Sequence, residues 1–189
     1  MKKIVLCVLT LCCPFWIKAQ EDISVEKSIW GANFGLLGAH IYNESRLTNS
    51  IALRSEIGLD MGAWYSKYWD GYTSKGFIIV PALSLEPRYY YNLKKRDSKS
   101  KRIDNNSGNF LALKINYHHP DIFVSSDKSI TNTYGDISFT PMWGLRRHFG
   151  KSNFNYEVGG GITYSRYFSK FYNYSDLDPH IYLRIGYTF

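Results

Sequence analysis

Charged residues recur at every second position inside otherwise apolar runs. Arg54, Glu56 and Asp60 share one face of residues 51–65. Glu86 and Arg88 share one face of 77–93, and Asp136 and Arg146 one face of 136–147. Lys114, Glu157, His180 and Arg184 hold equivalent places in three further runs. Alternate residues of an extended strand point the same way, so these charges line one common surface. A charge taken out of water is costly unless an opposite charge meets it. Arg54 lies next to Glu56 on its face, and Glu86 next to Arg88. That order of signs predicts a network of ion pairs filling an interior, with a narrow ion path or gate as the alternative.

Other chemistry finds less support. His118 and His119 form the only adjacent histidine pair, without a third metal ligand at a familiar spacing. All three cysteines (Cys7, Cys12, Cys13) fall in the first thirteen residues, so the rest of the chain offers no thiolate. No metal, cofactor or catalytic residue is expected. The basic segment 94–107, with Lys94, Lys95, Arg96, Lys99, Lys101 and Arg102, reads as a solvated turn, or as a site for an anionic polymer or lipid head groups.

The elements that must hold these residues are strands. Counting back from the last residue, Phe189, Tyr187, Ile185, Leu183 and Ile181 alternate with Thr188, Gly186, Arg184, Tyr182 and His180. This is the period-two pattern of a strand with one greasy face. The pattern repeats over 51–65, 77–93, 109–118, 136–147 and 154–167. Pro81 and Pro87 both fall on an apolar face and predict bulges. Residues 43–50, 66–75, 119–133 and 168–179 carry turn or loop composition. Residues 25–46 are Gly-rich and read as two short strands reversing near 35–38. An even strand count is then satisfied at eight, and the expected fold is all-β, an antiparallel up-and-down transmembrane barrel.

The first nineteen residues have the form of a secretory signal peptide: Met1-Lys2-Lys3, an apolar run from Ile4 to Ile17, then Lys18-Ala19. The expected division is 1–19 as signal and 20–189 as barrel. Without Lys2, Lys3 and Lys18, 20 of the 23 basic residues face 16 acids. That modest, dispersed excess gives no nucleic-acid footprint. Tyr89, Tyr91, Phe154 and Tyr156 crowd strand ends on the apolar face, where a membrane barrel carries an aromatic girdle. A soluble barrel with its apolar face inward is the competing arrangement.

The segments Leu53-Arg54-Ser55-Glu56-Ile57-Gly58, Glu86-Pro87-Arg88-Tyr89-Tyr90-Tyr91-Asn92, Trp143-Gly144-Leu145-Arg146-Arg147 and Leu183-Arg184-Ile185-Gly186-Tyr187-Thr188-Phe189 resemble small outer-membrane barrels of Bacteroidota. In plan the chain is similar to the OmpA transmembrane domain and OmpX. The resemblance implies a monomer in the Gram-negative outer membrane, in contact with its lipids and lipopolysaccharide. It also implies that Ile181, Leu183, Ile185, Tyr187 and Phe189 are read by the barrel-assembly machinery. A structural or surface-interaction role follows, the aromatic-rich loops 65–72 and 167–174 being suited to partners. The runner-up is an outer-leaflet lipid-modifying enzyme, although the His-x-Ser element of lipid A deacylase-like barrels is missing here. A narrow channel comes third.

Overall fold

Period-two runs become one antiparallel sheet. The computed structural model describes residues 23–67, 69, 73–127, 135–168 and 173–189. The expected signal peptide, all three cysteines and the loop aromatics Tyr68, Tyr72, Phe171 and Tyr172 lie outside those residues. The strands are β1 (Ser28–Gly35), β2 (Gly38–Arg46), β3 (Ile51–Lys67), β4 (Thr73–Tyr90), β5 (Asn109–His118), β6 (Val124–Ser125), β7 (Gly135–His148), β8 (Phe154–Phe168) and β9 (Asn173–Thr188).

Neighbours in the sheet run β3-β2-β1-β9-β8-β7-β5-β4, and a β3–β4 ladder joins the two ends. This ring-like hydrogen bonding is compatible with a β-barrel and leaves the long strands without a free edge at their common level. Among the described residues the strand count is nine, not eight. The extra strand, β6, is a two-residue piece inside the expected loop 119–133, paired with Ile78 and Ile79 of β4.

Several boundaries also move. The expected turn 43–50 shrinks because β2 continues to Arg46, leaving 47–50 to reverse the chain. Residues 66–67 and 73–75 of the expected loop 66–75 are strand, and so are 168 and 173–179 of the expected loop 168–179, where β9 begins at Asn173. The prolines make no bulges. Pairing of β4 with β5 lapses at 86–87 and resumes at Arg88 in the same register. Proline lacks the N–H that the ladder needs, so the sheet loses a rung there without gaining a residue. Pairing of β7 with β8 lapses in the same way at 140–141, around Pro141.

The β1–β2 reversal falls at Gly35–Gly38, with Leu36 and Leu37 at its tip. Gly38 has φ +147, and a Cβ there would stand 2.1 Å from the Leu59 carbonyl oxygen, so only glycine fits. The hairpin is short: its tip is level with Arg184 of β9 and Asp60 of β3. Both neighbouring strands continue well past it.

The faces separate cleanly. Ile57, Leu59, Leu83, Leu85, Leu111, Leu183 and Ile185 are exposed, and Ile181 is 80% exposed. Arg54, Arg88, Arg146 and Glu86 are 0% exposed. The charged face is the interior of the ring.

Candidate functional site

Cross-strand register sets acids against bases in the half of the ring nearer the termini. Glu44 lies opposite Arg54, Arg54 opposite Glu86, Arg146 opposite Glu157 and Glu157 opposite Arg184. Glu157 is the hub. It accepts from Arg54 Nη1 at 2.8 Å, Arg88 Nη1 at 3.0 Å and Arg146 Nε at 2.6 Å. Glu44 accepts from Arg146 Nη2 at 2.9 Å, Tyr90 Oη at 2.8 Å and Asn106 Nδ2 at 2.6 Å. Glu86 takes Arg88 Nε at 2.7 Å, and Glu56 pairs with Arg54 Nε at 2.7 Å. The guanidinium carbons stack on rings: Arg54 on Tyr42 at 3.7 Å, Arg88 on Phe110 at 4.3 Å, Arg184 on Tyr182 at 4.7 Å. An interior of about eight strands is just wide enough for side chains to fill, and here arginine planes and aromatic rings fill it.

Room for those rings comes from glycine. A Cβ on Gly159 would lie 2.5 Å from the Trp143 carbonyl oxygen and 2.6 Å from the Tyr182 ring.

The expected basic turn is a folded cap. It holds a short helix α1 (Leu93–Asp97) and a single 3-10 turn (Asp104–Asn106). Leu93 packs with Val25, Ala52, Tyr90 and Phe110 in a small apolar cluster at this end. Asn105 and Asn106 adopt positive φ, which asparagine tolerates. That bend sends the Asn106 amide inward to Glu44 while its Oδ1 accepts from the Glu26 N–H at 2.7 Å. Arg146 Nη1 reaches the Asn105 carbonyl at 3.2 Å, and Arg102 ties the cap to Gly150 and Ser152. Lys95, Lys99 and Lys101 remain exposed around it.

The other half of the interior is open. A cavity of about 540 Å³ is lined by residues of β1, β2, β3, β5, β7, β8 and β9. Across it runs a row of alternating histidines and acids. His40 Nε2 lies 3.0 Å from Asp60 Oδ1, His118 Nε2 2.9 Å from Asp60 Oδ2, and His118 Nδ1 2.8 Å from Asp136 Oδ1. At the cavity floor Arg54, Lys114 and Arg184 share one carboxylate, Glu56; Lys114 stands off at 3.8 Å and Arg184 at 3.3 Å. Five buried polar atoms on the lining have no hydrogen-bond partner among the described residues: Asn33 Oδ1, His40 Nδ1, Asn116 Oδ1, His180 Nε2 and Tyr182 Oη.

The structure places Arg54, Glu56, Asp60, Glu86, Arg88, Lys114, Asp136, Arg146, Glu157 and Arg184 on the inner face of the ring. They divide into the lower network and the lining of the upper cavity. Sequence reasoning missed Glu44, His40 and Asn106. The first two are legible afterwards, since His40, Tyr42 and Glu44 keep the period of two through a segment with turn-like composition. His118 belongs to the cavity row, whereas its neighbour His119 is exposed and its Nδ1 accepts from the Asp121 N–H. Among the described residues no group of His, Asp and Glu is arranged to hold a metal ion. Nor does any serine hydroxyl bond to a cavity histidine, so no nucleophile–base pair is assembled among those residues.

Outside the ring, Tyr89, Tyr91, Phe154 and Tyr156 gather at the end that carries the termini, next to Tyr187 and Phe189. Phe154 meets Tyr187 edge-on at 4.9 Å, and Tyr91 Oη accepts from Trp143 Nε1 at 2.8 Å. Ile181, Leu183, Ile185, Tyr187 and Phe189 all face outward. Of the loop aromatics, Tyr65 belongs to β3, Tyr167 and Phe168 to β8 and Tyr174 to β9. No protein-family model, curated protein or solved structure matches the chain.

Proposed function

We propose that this chain is an integral β-barrel of a bacterial outer membrane, closed by its ion-pair network, with a structural or surface-binding role and no catalysis. The observation that carries this reading is the inverted distribution of polarity. Arginines and glutamates are fully buried while leucines and isoleucines cover the outside. Water as solvent favours the opposite arrangement, and hydrocarbon favours this one. The dimensions agree. Along β3 the outward residues run from Leu53 to Tyr65, about 40 Å of strand, which a tilt of about 40° turns into roughly 30 Å of height, enough to cross the apolar layer.

Aromatic residues mark both ends of that band. Tyr89, Tyr91, Phe154 and Tyr156 stand at one end; Tyr65, Phe77 and Tyr164, all exposed, stand at the other. The plug and the cap together support a closed lumen over the channel reading. The test is to fractionate cells expressing the full chain and run the outer-membrane fraction on a detergent gel, boiled and unboiled. A band that shifts on boiling is expected. A single unshifted band in the soluble periplasmic fraction would overturn the reading.

A further inference from the structure

The wall of the ring is incomplete on one side. Above the tip of the β1–β2 hairpin, residues 62–67 of β3 and 175–183 of β9 have no ladder partner among the described residues on the sides that face each other. Both strands are still apolar outside at this height. Leu183, Ile181 and Leu177 are exposed on β9, and Met61 and Tyr65 on β3. The six steps from Leu183 to Leu177 cover about 20 Å of strand. The notch therefore lies within the apolar band, not above it. The hairpin tip agrees: Leu36 and Leu37 are 85% and 62% exposed, suited to hydrocarbon rather than to an aqueous loop.

An open sheet edge is tolerated at membrane depth only where it lines a polar cavity or is covered. Here the cavity reaches the notch. Leu36, Leu37 and Leu183 line it on the notch side, whereas Lys114 and His118 line it from the opposite wall.

We propose that this upper cavity binds the head group of a zwitterionic phosphoglyceride, an amine joined to a phosphate, which enters sideways through the notch and leaves its acyl chains in the membrane. The inference rests on the outer-membrane reading above. Three observations select the ligand. The floor is electropositive, since its two lining cations, Lys114 and Arg184, share the carboxylate of Glu56, which also faces Arg54, and among the described residues Lys114 stands no closer to it than 3.8 Å; a phosphate fits at that level. Acids stand higher. On β9, Asp178 is six residues above Arg184 on the same face, and Asp136 is four residues above Thr140, the cross-strand neighbour of Lys114. An ammonium fits at that level. The unpartnered polar atoms include acceptors at Asn33 and Asn116 and a donor at Tyr182, so the occupant needs both donors and acceptors, as buried polar groups in proteins find partners. A cavity of about 540 Å³ is of the size that small ligands occupy, and the apolar notch accounts for the chains.

The test uses the full barrel purified in detergent and first shown to shift on boiling. Native mass spectrometry is then run with added palmitoyl-oleoyl phosphatidylethanolamine, with the matching phosphatidylglycerol, and with soluble phosphoethanolamine. One phosphatidylethanolamine retained per barrel is expected, with phosphatidylglycerol and the soluble head retained at least tenfold less. Two variants should lose that retention at least tenfold while still shifting on boiling. Lys114→Gln removes one of the floor cations. His180→Phe fills the cavity without touching an ion pair. Failure of the wild type to retain the lipid, equal retention by the variants, or equal retention of phosphatidylglycerol would overturn the site. Retention of soluble phosphoethanolamine as strongly as the lipid would assign the cavity to a free aminophosphate and overturn sideways access. A wild type that never shifts on boiling would overturn the membrane reading itself, a different result from a shifting barrel that holds no lipid.

Discussion

Replacing Glu157 with glutamine is the sharpest probe of the interior. The substitution keeps the shape and removes one charge from the centre of three guanidinium groups, those of Arg54, Arg88 and Arg146. All four side chains are at most 3% exposed, so water cannot replace the lost acceptor. Each arginine does keep one carboxylate: Arg54 keeps Glu56, Arg88 keeps Glu86 and Arg146 keeps Glu44. The cost is therefore that of breaking one buried pair, about 3–5 kcal/mol, and not several times that. At a slope of about 2 kcal/mol per molar urea, the unfolding midpoint should fall by roughly 2 M. The assay is tryptophan fluorescence against urea in lipid vesicles, with Lys99→Gln as the control. Lys99 is exposed on the cap, and its variant should stay within about 0.5 kcal/mol of the wild type. If Glu157→Gln unfolds at the same urea concentration as Lys99→Gln, the interior network does not stabilise the fold and the assignment of the charged face is wrong.

Two further substitutions test the same interior from other sides. Arg54→Ala removes the ion pairs to Glu56 and Glu157 and the stack on Tyr42. It should lower stability by about 3 kcal/mol, and an unchanged urea midpoint would mean that this lumen contact is misassigned. Gly159→Ala places a methyl group against the Trp143 carbonyl and the Tyr182 ring. It should cost about 1–3 kcal/mol by overpacking, read in the same titration; a neutral result would show that Tyr182 does not fill the lumen at that level.

The strands that were legible in the sequence are those with two different surroundings. On the proposed membrane reading one face meets hydrocarbon and the other the charged interior, so the composition has to alternate, as it does from Ile181 to Tyr187. Where a strand leaves the apolar band, both faces meet water and the alternation disappears, although the backbone ladder continues. Residues 173–176 of β9 (Asn-Tyr-Ser-Asp) read as a loop for that reason. They are all exposed, and they still pair with β8 rung by rung from Phe168 to Ser165. The same holds for Lys67 opposite Thr73 at the far end of the β3–β4 hairpin. Hydrophobic period reports a change of solvent across a strand; it does not report the hydrogen bonds that make the strand.

That distinction explains why the charged residues could be assigned to the interior while the cavity could not be seen. The ten charges follow from parity alone, because parity survives an error of a few residues in any boundary. The cavity depends on lengths: an eight-residue β1 and a nine-residue β2 stand between a sixteen-residue β9 and a seventeen-residue β3. Nothing in Leu36-Leu37 announces that the turn stands at the level of Asp60 rather than several residues higher. Gly35 and Gly38 suggest a reversal, but its height against β9 and β3 is fixed by register, and register is a property of pairs of strands. His40 shows the consequence. In the sequence it is one histidine in a glycine-rich stretch; register places it opposite Gly58, two residues from Asp60, and so at one end of a row that reaches Asp136 on the opposite wall. The parts of such a ring that hold side chains together are written in each strand separately. The parts that leave space are written only in the differences between neighbouring strands.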